Sequence, residues 1–473
     1  MIPAILVLLP FAFAAAILLA RHRPIVCRSL LIACGVSHFA LACITRLPAA
    51  APFLDMRLIG LDPGDIIQSA VLFAMSLLFL GSAIHAYHWI PAAYALESHG
   101  GEARFMREST FLACTAAFLG AMTLVVVAKN LGLLWVAIEA TTLLSAPLIG
   151  FHRTAGAIEA TWKYMLICSV GIGFALFGTM LVAYAAQLGS GGHIGLDLAS
   201  LQEASFDPVW FKAGFIFILA GYGTKMGLAP FHSWLPDAHG ESPATASALL
   251  SGALLNCSFL AITRFRALAP AAVEPFCDQL MTALGLLSLA VAAAFIVRQH
   301  DFKRMLAYSS VENMGLVIIL FALGSELLSL HIVIHSLLKM SLFLVAGNIL
   351  LAYGTRHIGG VHAMLAHKPR LAALWIAGIL LLCATPPSPL FLTEYALVSK
   401  AGLALGGTVL FLVLVVFIGM ARIAVSMSMG QCSETDMTPR PIPRALRVVP
   451  TLGIGAALVV GLIAFVSLAI PTP

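Results

Sequence analysis

The stretch GYGTKMGLAPFHSWLPDAH, at residues 221–239, decides how the rest of the chain is interpreted. An apolar run from Val209 leads into it, so Lys225 lies well inside a predicted membrane-spanning helix. Three glycines and two prolines then interrupt that helix, because proline removes a backbone donor and glycine loosens the turn. In hydrocarbon such a break is tolerated only where protein or a water-filled cavity satisfies the free backbone groups.

Lys225 beside this break predicts an ion path. A charge at mid-bilayer costs about 3 kcal/mol, so a lysine there usually serves a function. The alternative is that Lys225 snorkels, with its ammonium in the headgroup region. The apolar run downstream is long, which favours the first interpretation.

The composition predicts an all-α polytopic membrane protein. Of 473 residues, 61% are hydrophobic and 10% are charged, and the mean hydropathy is +1.00. Runs of about 20 apolar residues recur, each long enough to cross a bilayer as a helix. The formal charge of +5 is interpreted as the charge of cytoplasmic loops in a protein that lies in a lipid bilayer. No nucleic-acid partner is expected.

The sequence offers no signature of a cofactor or a metal site. Nine cysteines are scattered, mostly within apolar runs, without a C-x-x-C pair or a Cys/His cluster of ligand type. A glycine-rich phosphate loop and a nucleophile elbow are also missing from the sequence. We therefore expect no cofactor, no metal and no bond chemistry in this chain, and any redox centre in partner subunits.

Apolar periodicity predicts about 14 membrane spans. They cover residues 2–20, 28–46, 66–90, 109–128, 130–150, 160–186, 209–235, 243–263, 278–297, 303–324, 327–352, 371–400, 405–428 and 448–470. Arginine and lysine concentrate in the loops after odd-numbered spans, for example at 298–304 and 356–370. The positive-inside rule then predicts a multi-pass protein of the plasma (inner) membrane with these loops in the cytoplasm and both termini outside.

A second break is predicted in the twelfth span, at TPPSP, residues 385–389. Spans 7 and 12 lie five apart, and paired interrupted helices are typical of inverted-repeat transporters. We therefore predict two inverted five-helix repeats with broken helices 7 and 12. The predicted divisions are 1–108 for helices 1–3, 109–265 for the first repeat, 266–430 for the second, and 431–473 for a connector and helix 14.

Glu139 lies near the middle of the fifth span, within the same predicted repeat as Lys225. A buried carboxylate and a buried lysine each remain charged more easily when the other is close. The two residues are therefore predicted to form a pair that can switch during ion transfer. The alternative is a permanent salt bridge that only fixes helix packing.

Spacings of four place His331, His335 and Lys339 on one face of the eleventh span, over about 12 Å. Histidine titrates near neutral pH, so this stripe is predicted to pass protons through bound water. Ordinary core histidines are the alternative, and a metal site lacks a third ligand nearby in sequence. Glu394, directly after the second break, is a further candidate for the ion path.

Secondary candidates are Lys163, His232, Asp237, His239 and Glu312. Lys163 is close to the start of the sixth span and either contributes to the path or snorkels. Three of them flank the first break, where they either admit protons or form a solvated turn. Glu312, about two turns into the tenth span, either contributes to the path or serves in capping or local hydrogen bonding.

Four motifs resemble the antiporter-like membrane subunits of respiratory complex I, which multisubunit cation/proton antiporters and membrane-bound hydrogenases share. They are WVAIE at 135–139, KMGLAPFHSWLPDAH at 225–239, LAYSSVE at 306–312 and HSLLK at 335–339. The resemblance covers nearly the whole chain. It implies 14 core helices, breaks in helices 7 and 12, and a proton path through Glu139, Lys225, His335, Lys339 and Glu394.

Within that superfamily the chain is most similar to the F subunit of group 4, formate-hydrogenlyase-like hydrogenases. The similarity lies in EATTLLSAPLI at 139–149, WKYMLICSVGI at 162–172 and ALLSGALLNC at 248–257. The chain departs from many complex I relatives at Ser251, where they have histidine or lysine, and at Asn313, where they often have histidine.

The resemblance implies a proton-translocating membrane subunit of a complex-I-related respiratory complex, of hydrogenase-4 or NADH–quinone oxidoreductase type. Its partners would be other membrane-arm subunits and peripheral electron-transfer subunits, and the transported ion H⁺ or Na⁺. Two alternatives remain open at this point. One is a subunit of a multisubunit Na⁺/H⁺ antiporter without a redox partner, and the other is a structural membrane anchor.

Overall fold

The computed structural model describes residues 1–47, 53, 55–56, 58–62, 64–97, 106–429 and 439–469. Within these residues the chain is helical, and β-pairing is confined to isolated bridges such as Ile59 with Ala128. The predicted division at residues 430 and 431 lies outside the described residues. The helices in chain order are α1 (Ile2–Leu19), α2 (Pro24–Ile44), α3 (Ile66–Glu97), α4 (Glu108–Val127), α5 (Leu131–Ile149), α6 (Ala155–Ser190), α7 (Leu198–Gln202), α8 (Pro208–Met226), α9 (Trp234–Glu241), α10 (Ala244–Leu249), α11 (Leu255–Arg266), α12 (Glu274–Ile296), α13 (Phe302–Ala322), α14 (Leu328–Tyr353), α15 (Met364–His367), α16 (Pro369–Leu382), α17 (Pro389–Ser428) and α18 (Val448–Ala469).

The all-α polytopic membrane fold is confirmed. Twelve helical segments of the described chain are long and apolar enough to cross a membrane, against about 14 predicted spans. The difference falls on the two interrupted spans, which contribute α8 and α9 in one case and the short α16 in the other. α17 is a single 40-residue segment that kinks at Gly402, where φ is 72°. The count of 14 and the five-helix repeats stay predictions.

The first break lies where the sequence predicts it. α8 ends at Met226, and Gly227 follows with φ of 83°, a left-handed conformation that suits glycine. The protein itself satisfies the freed backbone groups. Trp234 Nε1 donates to the Thr224 carbonyl at 2.8 Å, and the Ala229 N–H donates to Ser288 Oγ at 2.9 Å. The break is therefore held by hydrogen bonds within the protein, as a break inside a membrane-spanning segment requires.

The second break separates α16 from α17, as predicted from its prolines. Ser388 stabilises both sides of it, since its hydroxyl donates to the Leu381 carbonyl at 2.6 Å and accepts from the Leu390 N–H at 3.3 Å. Proline at the first position of α17 needs no hydrogen-bond partner for its nitrogen. The Ser388 hydroxyl thus forms hydrogen bonds with both the carboxyl end of α16 and the amino end of α17.

Between α10 and α11 the helix widens into a π-helical turn at Leu250–Leu254. Such turns occur frequently at functional sites, because they expose backbone and shift side chains around the helix. Every residue from Ala244 to Thr263 is buried within the protein. It packs against α3, α8 and α14, and so occupies the centre of the helix bundle.

α6 packs closely on α8, and this contact positions the end of α8, where the first break begins. A Cβ at Gly221 would lie 2.4 Å from the Ala175 backbone nitrogen, so only glycine allows this approach. α5 is aligned beside them from its first turn, where Asn130 accepts hydrogen bonds from the Gly132 and Leu133 N–H groups. The peripheral α1, α6, α17 and α18 present large apolar side chains outward, as expected of lipid-facing helices.

Candidate functional site: two buried lysines and their polar neighbours

Lys225 is fully buried in the last turn of α8. Its ammonium donates to Thr142 Oγ1 of α5 at 2.9 Å and to the Tyr164 hydroxyl of α6 at 2.5 Å. The nitrogen also lies 4.5 Å from the centre of the Tyr164 ring, a cation–π contact. Three helices therefore converge on one charge, and neutral oxygens are its direct partners.

Glu139 does not contact Lys225 directly; Thr142 stands between them. The Thr142 hydroxyl points at Glu139 Oε2 over 3.4 Å, and Ser169 of α6 donates to Oε1 at 2.9 Å. Glu139 is only half-buried, because its face of α5 also carries the exposed Leu143. The expected ion pair is thus a hydroxyl-bridged arrangement, with the carboxylate turned toward the side of the bundle.

The order of donors and acceptors in this cluster has chemical meaning. The Lys225 N–H donates to the Thr142 oxygen, and the Thr142 hydroxyl is directed at the carboxylate. A chain of this polarity can pass a proton from lysine toward glutamate through one hydroxyl. On the other side, Tyr164 continues the chain to Ser145 at 2.6 Å.

Lys339, in the middle of α14, is also fully buried. Its ammonium donates to the Leu306 carbonyl at 2.6 Å and to Ser309 Oγ at 2.5 Å, both on α13. Glu312 lies one turn beyond Ser309 and interacts electrostatically with this ammonium. Its carboxylate accepts from Asn313 Nδ2 at 2.8 Å, so the local hydrogen bond foreseen for Glu312 exists together with the nearby lysine.

His331 and His335 share the Lys339 face of α14, as their spacing predicts. Their rings stack with centroids 6.3 Å apart, and His331 Nδ1 lies 2.8 Å from Thr393 Oγ1 of α17. Both nitrogens of His335, and Nε2 of His331, have no partner among the described residues. The histidine row therefore reaches from Lys339 to the second break and has unused hydrogen-bonding capacity along the way.

Glu394 follows Thr393 in the first turns of α17, directly after the second break. Its side chain is partly accessible, and it interacts electrostatically with Glu312. Serines and an asparagine link α10 and α11 to α13 and α14. Ser251, in the π-helical turn, lies 2.8 Å from Ser310, and Asn256 donates to Ser336 at 2.8 Å. Neutral hydroxyl and amide groups therefore make these contacts between the buried helices.

The secondary candidates separate into a surface group and a buried one. Lys163 is 47% exposed and pairs with Glu159 at 2.6 Å and Asp237 at 3.2 Å, so its ammonium lies at the surface. Asp237 also pairs with Arg304 at 3.1 Å. For His239 the solvated-turn interpretation is wrong, because it is fully buried and stacks on Phe343 with ring centroids 4.7 Å apart. The remaining member, His232, is half-buried beside Tyr308.

The sequence interpretation missed three residues of this region. Lys303 was counted as a loop charge but is buried, and its ammonium donates to the Gly240 and Ser242 carbonyls at 3.1 and 2.6 Å. Thr142 and Tyr164 were not singled out. Thr142 follows Glu139 by three positions, the spacing of side-chain neighbours on a helix, which is a usable signal. Among the described residues, no group of three His, Cys, Asp or Glu side chains could hold a metal ion.

Comparison with known proteins supplies the family. A family described as NADH:quinone oxidoreductase/Mrp antiporter, transmembrane, matches residues 128–421, more than half of the chain. A protein of Methylacidiphilum infernorum named hydrogenase-4 component F homolog is 40% identical over 299 residues, covering 60% of this chain and 62% of that protein. The alignment thus spans less than two thirds of that relative's length.

Two solved structures share the fold over nearly the full chain. One is a chain of the membrane-bound sulfane sulfur reductase, an archaeal respiratory membrane complex, with TM-score 0.84, 18% identity and coverage of 98% of this chain and 94% of that one. The other is a chain of the Mrp complex from Dietzia, with TM-score 0.82, 18% identity and coverage of 99% and 96%. The resemblance predicted from the sequence motifs is confirmed, and the chain belongs to the NADH:quinone oxidoreductase/Mrp antiporter family of transmembrane proteins.

Proposed function

We propose that this chain is the proton-translocating membrane subunit of a complex-I-related respiratory complex of the hydrogenase-4 type. Electron transfer in partner subunits would drive the ion movement, and this chain would hold no redox centre. The observation that carries the proposal is the pair of fully buried lysines, each hydrogen-bonded to neutral oxygens with a carboxylate one step away. The identity to a hydrogenase-4 component F homolog supports the choice of complex.

In this proposal the lysines are the groups that gain and lose protons. A buried ammonium held by hydroxyls can release its proton, because neither partner carries a fixed negative charge that would retain it. Thr142 relays between Lys225 and Glu139, while His335 and His331 extend the path from Lys339 toward Glu394. The polar atoms of His335 that lack protein partners provide the positions where water would complete the connection.

The assignment of parts follows the sequence. We propose residues 109–265 and 266–430 as inverted repeats, flanked by 1–108 and 431–473. The charge bias of the loops supports a plasma-membrane protein with both termini outside. Other membrane-arm subunits and peripheral electron-transfer subunits are the proposed partners. Glu139, Lys225, His331, His335, Lys339 and Glu394 are the proposed path.

A second candidate is a subunit of a multisubunit Na⁺/H⁺ antiporter without a redox partner. One local feature favours it, since Glu139, Ser169 and Thr142 bring carboxylate and hydroxyl oxygens together at a half-buried position. Oxygen ligands of this kind suit a hard cation. Co-purification separates the two candidates. Iron–sulfur and nickel–iron partners favour the first, and several small membrane partners favour the second.

The experiment that tests the proposal replaces Lys225 with arginine and, separately, with methionine. Arginine keeps the positive charge but does not release its proton in proteins, so proton uptake should be lost in both variants. Proton uptake coupled to turnover is measured in proteoliposomes at matched assembly. Lys212→Arg is the matched control, because Lys212 lies on the same helix over the Phe276 ring, 5.5 Å from its centre and outside the site.

The result distinguishes a relay from a structural role. If Lys225 only fixes helix packing, arginine preserves the charge and the variant pumps normally. Normal pumping by Lys225→Arg would therefore remove Lys225 from the path. If both Lys225→Arg and Lys225→Met leave coupled activity unchanged, the chain is a membrane anchor for its partners.

A further inference from the structure

α3 carries a polar row that the path described above does not use. Ser82, His85 and Trp89 recur at spacings of three and four, and so share one face of the helix. All three are at least 97% buried. Ser82 Oγ, His85 Nδ1 and Trp89 Nε1 each lack a hydrogen-bond partner among the described residues. α3 thus directs three polar groups without a described partner toward the interior of the protein.

This face of α3 lies against the part of α14 that follows Lys339. His85 Nε2 is 3.3 Å from Asn348 Oδ1, and a Cβ at Gly347 would lie 3.8 Å from Trp89 Nε1. Gly347 is two spacings of four beyond Lys339, about 12 Å further along α14. α14 therefore meets α3 about two turns after the titratable stripe ends.

α9 and α10 close the other side of the same region. His239 stacks on Phe343, which lies between Lys339 and Gly347 on α14, and both of its ring nitrogens lack a protein partner. The Lys339 ammonium is 5.9 Å from the centre of the Phe343 ring. Thr245 Oγ1 also has no partner among the described residues. The neighbouring Ala244 packs closely on Gly347, since a Cβ added at Gly347 would lie 2.3 Å from the Cβ of Ala244.

Six unpaired polar atoms thus lie on helices that pack against α14, on Ser82, His85, Trp89, His239 and Thr245. A buried polar group without a partner costs about 1–3 kcal/mol. Because six such atoms occur together, we infer that a ligand forms hydrogen bonds with them. The indole N–H only donates, whereas hydroxyls and a neutral imidazole both donate and accept. A small ligand that accepts and donates fits this set, and water is the ligand that buried groups of this kind bind.

We propose that ordered water fills the contact between α3, α9, α10 and α14, and that it connects Lys339 and His239 to His85. α3 would then belong to the proton path, although it lies outside the ten helices of the proposed repeats. The presence of water stands on the unpaired groups alone. The transfer of protons along it rests on the proposed function.

Radiolytic hydroxyl labelling of the purified complex tests for the water, because bound water generates the radical beside buried side chains. Trp89 and Trp234 form a matched pair. Both are buried, but Trp234 Nε1 is satisfied by the Thr224 carbonyl at 2.8 Å. We expect Trp89 to be modified several-fold more than Trp234. Equal, low modification of both would show a dry contact and overturn the proposal.

Thr245→Val removes one hydroxyl from the contact while keeping the shape of the side chain. It should lower the labelling of Trp89 and slow proton uptake. Thr179→Val is its control, because the buried Thr179 hydroxyl is satisfied within α6 by the Ala175 carbonyl at 2.8 Å. Unchanged labelling of Trp89 in Thr245→Val would contradict the placement of the water.

His85→Gln tests the proton-carrying role at matched assembly. Glutamine retains hydrogen-bonding capacity near Asn348 but cannot carry a proton, so proton uptake should fall while labelling of Trp89 persists. Normal proton uptake in this variant would remove α3 from the path. If the unmodified complex transports no protons, the proposed function fails, and the labelling of Trp89 still decides whether water is present.

Discussion

The two buried lysines are held in different ways. Lys225 has hydroxyls from two helices as partners, and Glu139 lies beyond Thr142 on a half-buried face. Lys339 has a backbone carbonyl and a serine of a single helix, with the buried Glu312 one turn away on that same helix. The first lysine can lose contact with its carboxylate by rotation of a hydroxyl. The second interacts electrostatically with a carboxylate that is also buried in the protein.

This difference predicts unequal coupling between lysine and carboxylate at the two sites. Buried opposite charges depend on one another, because each keeps the other from being an isolated charge in a medium of low polarity. Lys339 and Glu312 should therefore be coupled in stability as well as in ion transfer. Lys225 and Glu139 should be coupled mainly in ion transfer, through Thr142.

The largest expected effect is that of Lys339→Met. It leaves Glu312 buried without its positive neighbour, and breaking a buried pair by removing one partner costs about 3–5 kcal/mol. Thermal unfolding of the purified complex should show a lowered midpoint, and proton uptake should be lost. The double variant Lys339→Met/Glu312→Gln should recover stability but not proton uptake. A double variant as unstable as the single one would show that the two residues are not coupled.

The next effect compares one hydrogen-bond partner at each lysine. Tyr164→Phe removes a hydroxyl from Lys225, and Ser309→Ala removes one from Lys339. A hydrogen bond to a charged group contributes about 1.5–3 kcal/mol. We expect the upper end for Tyr164→Phe, because Lys225 is then left with a single hydrogen-bond partner, Thr142. We expect the lower end for Ser309→Ala, because Lys339 keeps the Leu306 carbonyl and the nearby Glu312. The midpoints of thermal unfolding measure both, and the reverse order would contradict the comparison.

A smaller effect on stability is expected for Thr142→Val. Valine keeps the shape of threonine but removes the hydroxyl between Lys225 and Glu139. We expect a cost of about 1.5 kcal/mol, the lower end of the range for a charged partner, because Tyr164 still holds the ammonium through its hydroxyl and its ring. Proton uptake should nevertheless slow several-fold, because the relay is interrupted. Thr142→Ser restores a hydroxyl and should restore uptake. If Thr142→Val pumps at the normal rate, Glu139 communicates with Lys225 by another route.

The smallest effect is expected at a partly exposed lysine, which serves as a reference for the two buried ones. Lys129 pairs with Asp55, whose side chain is 74% exposed. The hydrogen bond from Lys129 lowers the pKa of Asp55 below its usual value. The resulting stabilisation is present above the unfolded-state pKa of about 3.9 and disappears as the pH falls through the lower folded-state pKa. Asp55→Asn should therefore cost less than about 1 kcal/mol at pH 7, with an unfolding midpoint close to that of the unmodified complex.

Much of this site follows from spacing within single helices. The stripe of His331, His335 and Lys339 needs only the helical period, and the break after Met226 needs only glycine and proline. The partners of Lys225 could not be derived in the same way. Thr142 and Tyr164 come from two other helices, and apolar periodicity does not determine which faces of three helices meet.

The same reasoning explains the misreading of Lys303. Its position beside Arg304 in a basic stretch suggested a solvent-facing loop. The structure places it in the first turn of α13, with its ammonium buried against the carbonyls at the end of α9. A cation at the carboxyl end of a helix is favourable, since free carbonyls and the helix dipole attract it. Local composition gave no sign of that long-range contact.

The ties around α9 also have a mechanical consequence. On one side Asp237 connects it to Lys163 of α6, and on the other side to Arg304 of α13. Arg356 forms ion pairs with Glu241 at 2.7 Å and with Asp301 at 3.2 Å. Lys303 donates to the Gly240 carbonyl in the last turn of α9. Rocking of residues 109–265 against residues 266–430 would have to stretch three of these contacts: Asp237 with Arg304, Glu241 with Arg356, and Lys303 with the end of α9. We therefore expect α9 to brace the two halves against each other, so that the proposed path through Lys225 would open by rotation of side chains and entry of water and not by movement of whole helices.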